Sequence, residues 1–175
     1  MGARGRSLAR LRDVPDQDRQ ADSGVRARTV DVGANVRRDL SIEELGDLVT
    51  EPHVAVLATH RADGTVLLSP VYQEWRDGGF NVAVASDDVK ARHLRRDPRA
   101  SLVLFEDGAP YRGVEVHTTA LLVTEGAREA LRRLIVRFDG EEIAETDAAT
   151  VEETVIIRLE PRPGELRAWD YADEF

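Results

Sequence analysis

Short apolar segments with a period of two, separated by turn residues, constrain this fold more than any other feature of the sequence. Residues 53–59 alternate in this way, and Asp63 and Gly64 follow them as a tight turn. A second turn follows at residues 77–79. Asp-Gly pairs readily supply the positive φ angles of hairpin turns, and strands joined by tight turns pair in antiparallel fashion. The sequence therefore predicts a mainly β protein made of antiparallel strands.

The first predicted strand is apolar on both faces. Val54 and Val56 lie on one face, and Ala55 and Leu57 lie on the other. A strand with two apolar faces fits a barrel whose outside is covered by a helix or by a partner chain. Six to seven short strands with a few flanking helices predict a Greek-key or up-and-down β-barrel. The predicted strands cover residues 53–59, 65–75, 80–85, 100–105, 113–124, 154–159 and 165–170.

Three helices are predicted around these strands. Ser41 and Glu44 have the spacing of a capping box, which starts the first helix. A second lies within residues 86–98, between two predicted strands, where short polar side chains can cap its start and Pro98 ends it. Apolar residues at helical spacing predict the third over residues 127–138.

Charge divides the chain of 175 residues into two parts. Residues 1–38 carry nine arginines and five aspartates, a net charge of +4, whereas residues 39–175 carry a net charge of −13. The first part has no periodic apolar content, so we expect a disordered basic N-terminal tail or an over-extended start of the reading frame. The second part is long enough to form one barrel domain with its own core.

The composition of the chain and the motifs that it lacks exclude several functions. The chain has no cysteine, which excludes disulfides and thiolate metal sites. The acidic body argues against nucleic-acid binding, which needs a basic face. No apolar run reaches the length of a membrane span, so we expect no membrane partner, no signal peptide and a cytoplasmic location. The four histidines lack the spacing of a metal site, and neither a glycine-rich phosphate loop nor a nucleophile elbow occurs.

Lys90 is the only lysine among the 24 basic residues. It falls near the start of the helix predicted within residues 86–98, where an ammonium group and free backbone N–H groups can together hold a phosphate. The alternative is a solvated lysine on a connecting helix. The residues alone leave both interpretations open.

Five segments carry a family pattern: V-A-V-L-A-T at 54–59, R-A-D-G at 61–64, S-P-V at 69–71, K-A-R-H-L-R-R-D-P-R at 90–99 and Y-R-G-V-E-V at 111–116. Their order and spacing resemble the split β-barrel family of pyridoxamine 5'-phosphate oxidase-like proteins. Within that family the resemblance is to the actinobacterial branch that uses the deazaflavin coenzyme F-420. It implies an FMN-binding-protein-like split β-barrel and a homodimer, with the cofactor at the subunit interface and its phosphate near Lys90.

The resemblance also implies a cofactor site on neighbouring strands and on the helix that carries Lys90. Strand hydroxyls such as Thr59 and Ser69 can instead bond to backbone, and residue type alone does not separate the two roles. Family members often carry asparagine in place of His93, and some carry arginine in place of Asp88, whose carboxylate would repel a phosphate. No catalytic residue is assigned and no metal site is expected. The implied cofactor-binding residues are Thr59, Ser69, Pro70, Val71, Lys90, Arg92 and His93.

The function implied by the resemblance is that of an oxidoreductase. Reduced coenzyme F-420 would transfer hydride to a small unsaturated or quinone-like acceptor, while the protein supplies orientation and electrostatics. One alternative is an FMN-binding flavoprotein of the same fold, and another is a non-enzymatic cofactor carrier. Pyridoxamine 5'-phosphate oxidase itself is less expected, because the chain end lacks that enzyme's arginine- and histidine-bearing substrate motif. Trp169 resembles a tryptophan of the deazaflavin branch and is expected to pack on the barrel or to reach the interface.

Overall fold

The computed structural model of the protein describes residues 37–38, 40–109, 111–141 and 153–171. The chain divides into a unit of residues Met1–Asp31 and a unit of residues Val32–Phe175. All the described residues belong to the second unit. The predicted basic tail therefore lies outside the described residues, except for Arg37 and Arg38.

Ten strands in the described part of the chain form two antiparallel sheets. They are β1 (Arg37–Arg38), β2 (Ala55–His60), β3 (Val66–Val71), β4 (Glu74–Arg76), β5 (Gly79–Ala85), β6 (Arg99–Phe105), β7 (Gly113–Thr119), β8 (Leu121–Val123), β9 (Thr154–Leu159) and β10 (Leu166–Asp170). The larger sheet has the order β1-β10-β7-β6-β2-β3, and the smaller sheet has the order β4-β5-β9-β8.

The described helices are a 3₁₀ helix (Glu43–Val49), α1 (Val89–Arg96) and α2 (Ala127–Asp139). The predicted capping box is present, since the Ser41 N–H donates to Glu44 Oε2 over 2.9 Å and the Glu44 N–H donates to Ser41 Oγ over 3.4 Å. The helix that follows is 3₁₀ and kinks at Gly46, which has a φ of 58° that glycine adopts at little cost. None of the described helices combines the length and the apolar character that crossing a lipid bilayer requires.

The predicted mainly β architecture with flanking helices is confirmed, but two strands were predicted wrongly as continuous. Residues 65–75 form β3 in the larger sheet and β4 in the smaller one, and residues 113–124 form β7 and β8 in the same way. The ladder is interrupted at residues 72–73 and at Ala120, where the chain passes between sheets. The described chain therefore has ten strands rather than six to seven.

Arg37 and Arg38, the last residues of the predicted tail, form a short strand in the larger sheet. Arg37 pairs with Asp170, and Arg38 pairs with Trp169, which adds β1 to an edge of the larger sheet. Two arginines carry no strand pattern in their sequence. Backbone hydrogen bonding to an existing sheet edge holds them, and such pairing depends little on side-chain type.

The core lies between the inward faces of the two sheets. Leu57 and Leu102 from the larger sheet and Phe80 and Ile157 from the smaller sheet are at most 1% exposed, and Leu45 of the 3₁₀ helix is fully buried with them. Because side chains alternate along a strand, the opposite side of the larger sheet points away from this core. We call that side, formed by the outward residues of β2, β3, β6, β7 and β10, the outer sheet face.

Trp169 packs on the barrel, on the outer sheet face. It lies across Gly113, which is its partner in the register between β10 and β7. A Cβ atom on Gly113 would come within 2.1 Å of Trp169 Cζ2. The guanidinium carbon of Arg167 lies 5.9 Å from the centroid of the Trp169 ring. The indole ring can therefore pack here only because residue 113 has no side chain.

We expect Gly113→Ala to lower the free energy of unfolding by about 1–3 kcal/mol, because the added methyl group forces the Trp169 ring to move. Gly108→Ala, in the nearby turn, is the matched control, since nothing lies within 4 Å of the position of its Cβ atom. Urea unfolding followed by tryptophan fluorescence measures both variants. Equal stability of the two variants would contradict this packing of Trp169.

Candidate functional site

Asp88 starts α1, on the connection between β5 and β6. Its carboxylate accepts a hydrogen bond from the Lys90 N–H over 2.7 Å and another from Lys90 Nζ over 3.0 Å. A short acidic side chain at this position satisfies an N–H group of the first helical turn that has no partner within the helix. The side chain of Lys90 is only 15% exposed. Lys90, which was predicted to bind the phosphate, is therefore largely buried, and its ammonium group is already paired with one carboxylate.

Thr59 and His93 join β2 to α1. Thr59 Oγ1 lies 3.0 Å from His93 Nδ1, and the two residues are 0% and 8% exposed. The partner of the Thr59 hydroxyl is thus a side chain rather than backbone. Lys90 and Arg96 lie three residues before and after His93, on the same side of the helix. The Thr59–His93 contact consequently sets the position of both cationic groups.

Three arginines close to His93 form a surface that we call the basic face: Arg61, Arg92 and Arg96. Arg96 donates to the carbonyl oxygen of His60, and Arg61 Nη1 donates to that of Val66 over 2.9 Å. Carbonyl oxygens carry no net charge, so these hydrogen bonds orient the guanidinium groups without neutralising them. A chain that is acidic overall therefore has a local excess of positive charge at α1.

Burial lowers the pKa of His93 below its usual value, and the positive charges of the basic face lower it further, against an opposing effect of Asp88. Histidine at that pKa is neutral at pH 7, and one ring nitrogen of the neutral ring already bonds Thr59. His93 thus serves to hold α1 in place. The charged groups that α1 and its surroundings offer to an anion are Lys90 and the basic face.

The predicted residues of β3 lie towards the other end of β2. A cavity of 360 Å³ is lined by Val54, Pro70, Val71 and Tyr72. Ser69 is half-buried and pairs with Leu57, whose side chain points into the core. Ser69 is not among the residues that line this cavity. The structure therefore places Pro70 and Val71 at a cavity and leaves Ser69 beside it.

The sequence analysis did not assign Tyr72, Arg61 or Arg96 to the site. Tyr72 was placed in a continuous strand, yet it leaves the ladder and its ring stacks on Phe138 of α2, with the centroids 4.1 Å apart. Its hydroxyl donates to Asp139 Oδ1 over 2.9 Å, which raises the pKa of Tyr72 above its usual value. Arg61 and Arg96 lie in two of the segments that carry the family pattern, but nothing in those segments assigned a role to them. Only their approach to His93 identifies them.

The cations around α1 lie towards one end of β2. The cavity at Pro70 and Val71, which we call the β3 cavity, lies towards the other end. Ala55, beside the cavity, and Thr59, beside α1, are four residues apart on β2, a separation of about 13 Å. An apolar cavity can take a flat ring, and the cations around α1 can hold an anionic group. The residues present thus fit a cofactor built of a ring and a phosphate. Among the described residues, no group of acidic and histidine side chains is arranged to hold a metal ion.

We expect the protein to lose stability as pH falls below about 6.5, the ordinary pKa of an unfolded histidine. The pKa of His93 is lower in the folded state, so the unfolded state binds the proton more tightly and acid favours unfolding. His93→Asn can keep the hydrogen bond to Thr59 and cannot titrate, so its stability should fall less steeply between pH 7 and pH 5. Urea unfolding at a series of pH values measures both curves. The other three histidines stay in both proteins, and parallel curves would contradict the prediction.

Solved structures with the same fold come from proteins of different kinds. A conserved hypothetical protein from Mycobacterium tuberculosis is 29% identical, with a TM-score of 0.63 over 75% of this chain and 86% of that one. An F-420 reductase is 25% identical, with a TM-score of 0.56 over 66% of this chain and 91% of that one. The heme storage protein HutZ from Vibrio cholerae is 22% identical, with a TM-score of 0.57 over 71% of this chain and 92% of that one, a likeness of fold alone. None of the curated proteins matches the chain.

A family profile decides the classification. Residues 41–167 match the family described as pyridoxamine 5'-phosphate oxidase. The matched span includes α1, the β3 cavity and the basic face, which together make up the candidate site. The resemblance drawn from five short segments is thereby confirmed. The chain belongs to the pyridoxamine 5'-phosphate oxidase family.

Proposed function

We propose that the protein is an oxidoreductase that binds the deazaflavin coenzyme F-420 and delivers hydride to a small unsaturated or quinone-like acceptor. The observation that carries this proposal is the placement of an apolar cavity and a basic face towards the two ends of β2. Membership in the family supports it, and so does the likeness to an F-420 reductase. Clefts with apolar walls and a few placed polar groups are the usual form of cofactor sites.

The described residues of the chain have separate tasks in this proposal. Val54, Pro70 and Tyr72 contact the ring and keep water from one side of it, while Lys90 and the basic face bind the phosphate. Thr59, through His93, keeps α1 in the position that aligns these cations. A bound deazaflavin supplies the hydride, so the chain needs no covalent nucleophile of its own.

FMN is the alternative cofactor, because a flavin ring and its phosphate have the same apolar and anionic ends. A non-enzymatic cofactor carrier is the alternative role. Titration of the protein with each cofactor in turn ranks the two ligands, and we expect the deazaflavin to bind more tightly. Reduction of an acceptor by the loaded protein separates an enzyme from a carrier.

We expect Lys90→Ala to weaken deazaflavin binding by about 1.5–3 kcal/mol, roughly 10- to 100-fold in Kd, as is typical for a charged hydrogen-bonding partner. The substitution also leaves the Asp88 carboxylate unpaired beside the anion. Fluorescence titration with the oxidised cofactor measures Kd. Arg162→Ala, at an exposed arginine in the turn before β10, is the matched control and should leave Kd unchanged. Equal Kd values in the wild type and Lys90→Ala would remove Lys90 from the site.

The apolar part of the outer sheet face is the surface that we propose for binding a second copy of the chain. Leu68 is 65% exposed, Val66 is 45% exposed and Phe105 is 46% exposed. Such apolar patches mark interaction surfaces, and a two-fold dimer is the commonest closed assembly of soluble proteins. Pro70 lies on the same face and also lines the β3 cavity. A second copy would therefore cover the ring-binding end of each site.

We expect the wild type to sediment as a dimer and Leu68→Asp to sediment as a monomer with weakened cofactor binding, because a buried carboxylate opposes association. Leu121→Asp is the matched control, since Leu121 is 50% exposed but belongs to the smaller sheet. Analytical ultracentrifugation over a wide concentration range, with and without cofactor, measures the equilibrium. A monomeric protein that binds the cofactor tightly would rule out the shared site.

A further inference from the structure

A row of polar side chains crosses the outer sheet face, and neither the core nor the candidate cofactor site uses it. Ser101 Oγ lies 2.7 Å from His117 Nδ1. His117 Nε2 lies 3.6 Å from Glu115 Oε2, and Glu115 Oε1 lies 3.4 Å from Arg167 Nε. A hydroxyl, an imidazole and a carboxylate are thus placed in sequence across β6, β7 and β10.

Strand pairing holds this row in place. Ser101 of β6 is paired with His117 of β7, so their side chains leave the sheet next to each other on one face. Glu115 lies two residues before His117 and therefore on the same face. The His117 N–H donates to the carbonyl oxygen of Glu165 over 2.9 Å. The geometry of the row is set by paired strands rather than by a loop.

The row ends beside the apolar half of the same face. Ser101 is paired with Ala58 of β2, and Ala58 is paired with Leu68 of β3. Two strand spacings, about 10 Å, separate Ser101 from Leu68. Ala58, between them, carries only a methyl group as its side chain. An acceptor lying over Ala58, next to a ring held at Pro70, would have the Ser101 hydroxyl at its edge.

The residue types resemble those of a serine hydrolase, but the surroundings do not. Ser101 lies in the middle of β6, which pairs with β2 along one edge and with β7 along the other. The backbone N–H groups around Ser101 are therefore used in the two ladders. A hydrolase needs free N–H groups beside its serine to stabilise the oxyanion. Proton transfer is the chemistry that this arrangement supports.

We propose that Ser101, His117 and Glu115 form a proton relay to the acceptor reduced at this face, an inference that rests on the proposed function. Hydride from the reduced cofactor, with its electron pair, bonds to a carbon of an enone or quinone, and a π electron pair moves to the acceptor oxygen. Protonated His117 gives its Nδ1 proton to Ser101 Oγ while the Ser101 hydroxyl proton passes to that oxygen. One proton leaves the oxidised cofactor for water, and His117 takes one proton back from water, so atoms and charge balance.

The other neighbours of His117 suit this task. The Glu115 carboxylate lies beside the ring and holds its orientation, and Arg167 holds the carboxylate in turn. An imidazole ring has two nitrogens, so it can accept a proton at one and donate a proton from the other. In the single chain the His117 side chain is 63% exposed, and β7 lies three strands away from β3, which carries Leu68, so water reaches the ring beside the proposed association surface. Glu115 is the charged residue paired with the ring, Arg167 is paired with Glu115, and Ser101 is the uncharged partner of the ring.

Single-turnover kinetics test the relay, with reduced coenzyme F-420 and two probe acceptors, menadione and 2-cyclohexen-1-one. We expect Ser101→Ala and His117→Gln to slow acceptor reduction by about 100-fold, the size of a lost general acid, with little further loss in the double variant. Ser101→Thr keeps a hydroxyl group and should restore most of the rate.

Two further measurements separate proton transfer from binding and folding. The Kd for the oxidised cofactor should be unchanged in these variants. In the unloaded protein, nitrogen NMR should show neutral His117 protonated at Nε2, beside Glu115, and Ser101→Ala should shift the ring towards a mixture of tautomers. Thr119→Val, on the same face two residues beyond His117, is the matched control for both measurements and for the rate.

The possible outcomes test the relay and the proposed function separately. Normal cofactor binding with equal rates in the wild type, Ser101→Ala and His117→Gln overturns the relay and leaves the proposed function standing. A wild type that binds the cofactor but reduces neither acceptor also overturns the relay, because a relay to a carbonyl oxygen should serve both. Failure of the wild type to bind either deazaflavin or FMN overturns the proposed function, and the relay with it.

Discussion

The buried hydrogen bond between Thr59 and His93 is the contact on which the candidate site depends. It joins the end of β2 to the middle of α1 at a place that water does not reach. Removing either partner would leave a buried polar atom unsatisfied, which is costly in a protein interior. Because Lys90 and Arg96 flank His93 on the same side of α1, this one contact also sets where their positive charges lie. It thus links the stability of α1 to the phosphate binding that we propose there.

The larger sheet separates two tasks by the alternation of its side chains. Inward residues such as Leu57 and Leu102 form the core with the smaller sheet. Outward residues are free for other contacts, and they divide into an apolar half on β2 and β3 and a polar half on β7 and β10. Association, ring binding and proton transfer are all proposed for this face. The physical reason is that a sheet covered on one side only leaves its second side available.

Local signals predicted most elements, and their failures have one cause. Asp88 and Pro98 bound α1 as their chemistry requires, and residues 80–85 and 154–159 form strands almost as predicted. The stretches 65–75 and 113–124 were each predicted as one strand, because an apolar period does not record which sheet a strand joins. Each stretch passes from one sheet to the other, and only the packing of both sheets around one core decides where.

The sequence by itself determined the mainly β class, the capped helix α1 and, through resemblance, the family. These follow from neighbours along the chain, where turn chemistry, capping and periodicity act. Tertiary structure alone decided that Arg61 joins the basic face and that Ser101 meets His117. Such contacts join elements distant in sequence, and their geometry comes from strand register and core packing, which no local pattern encodes.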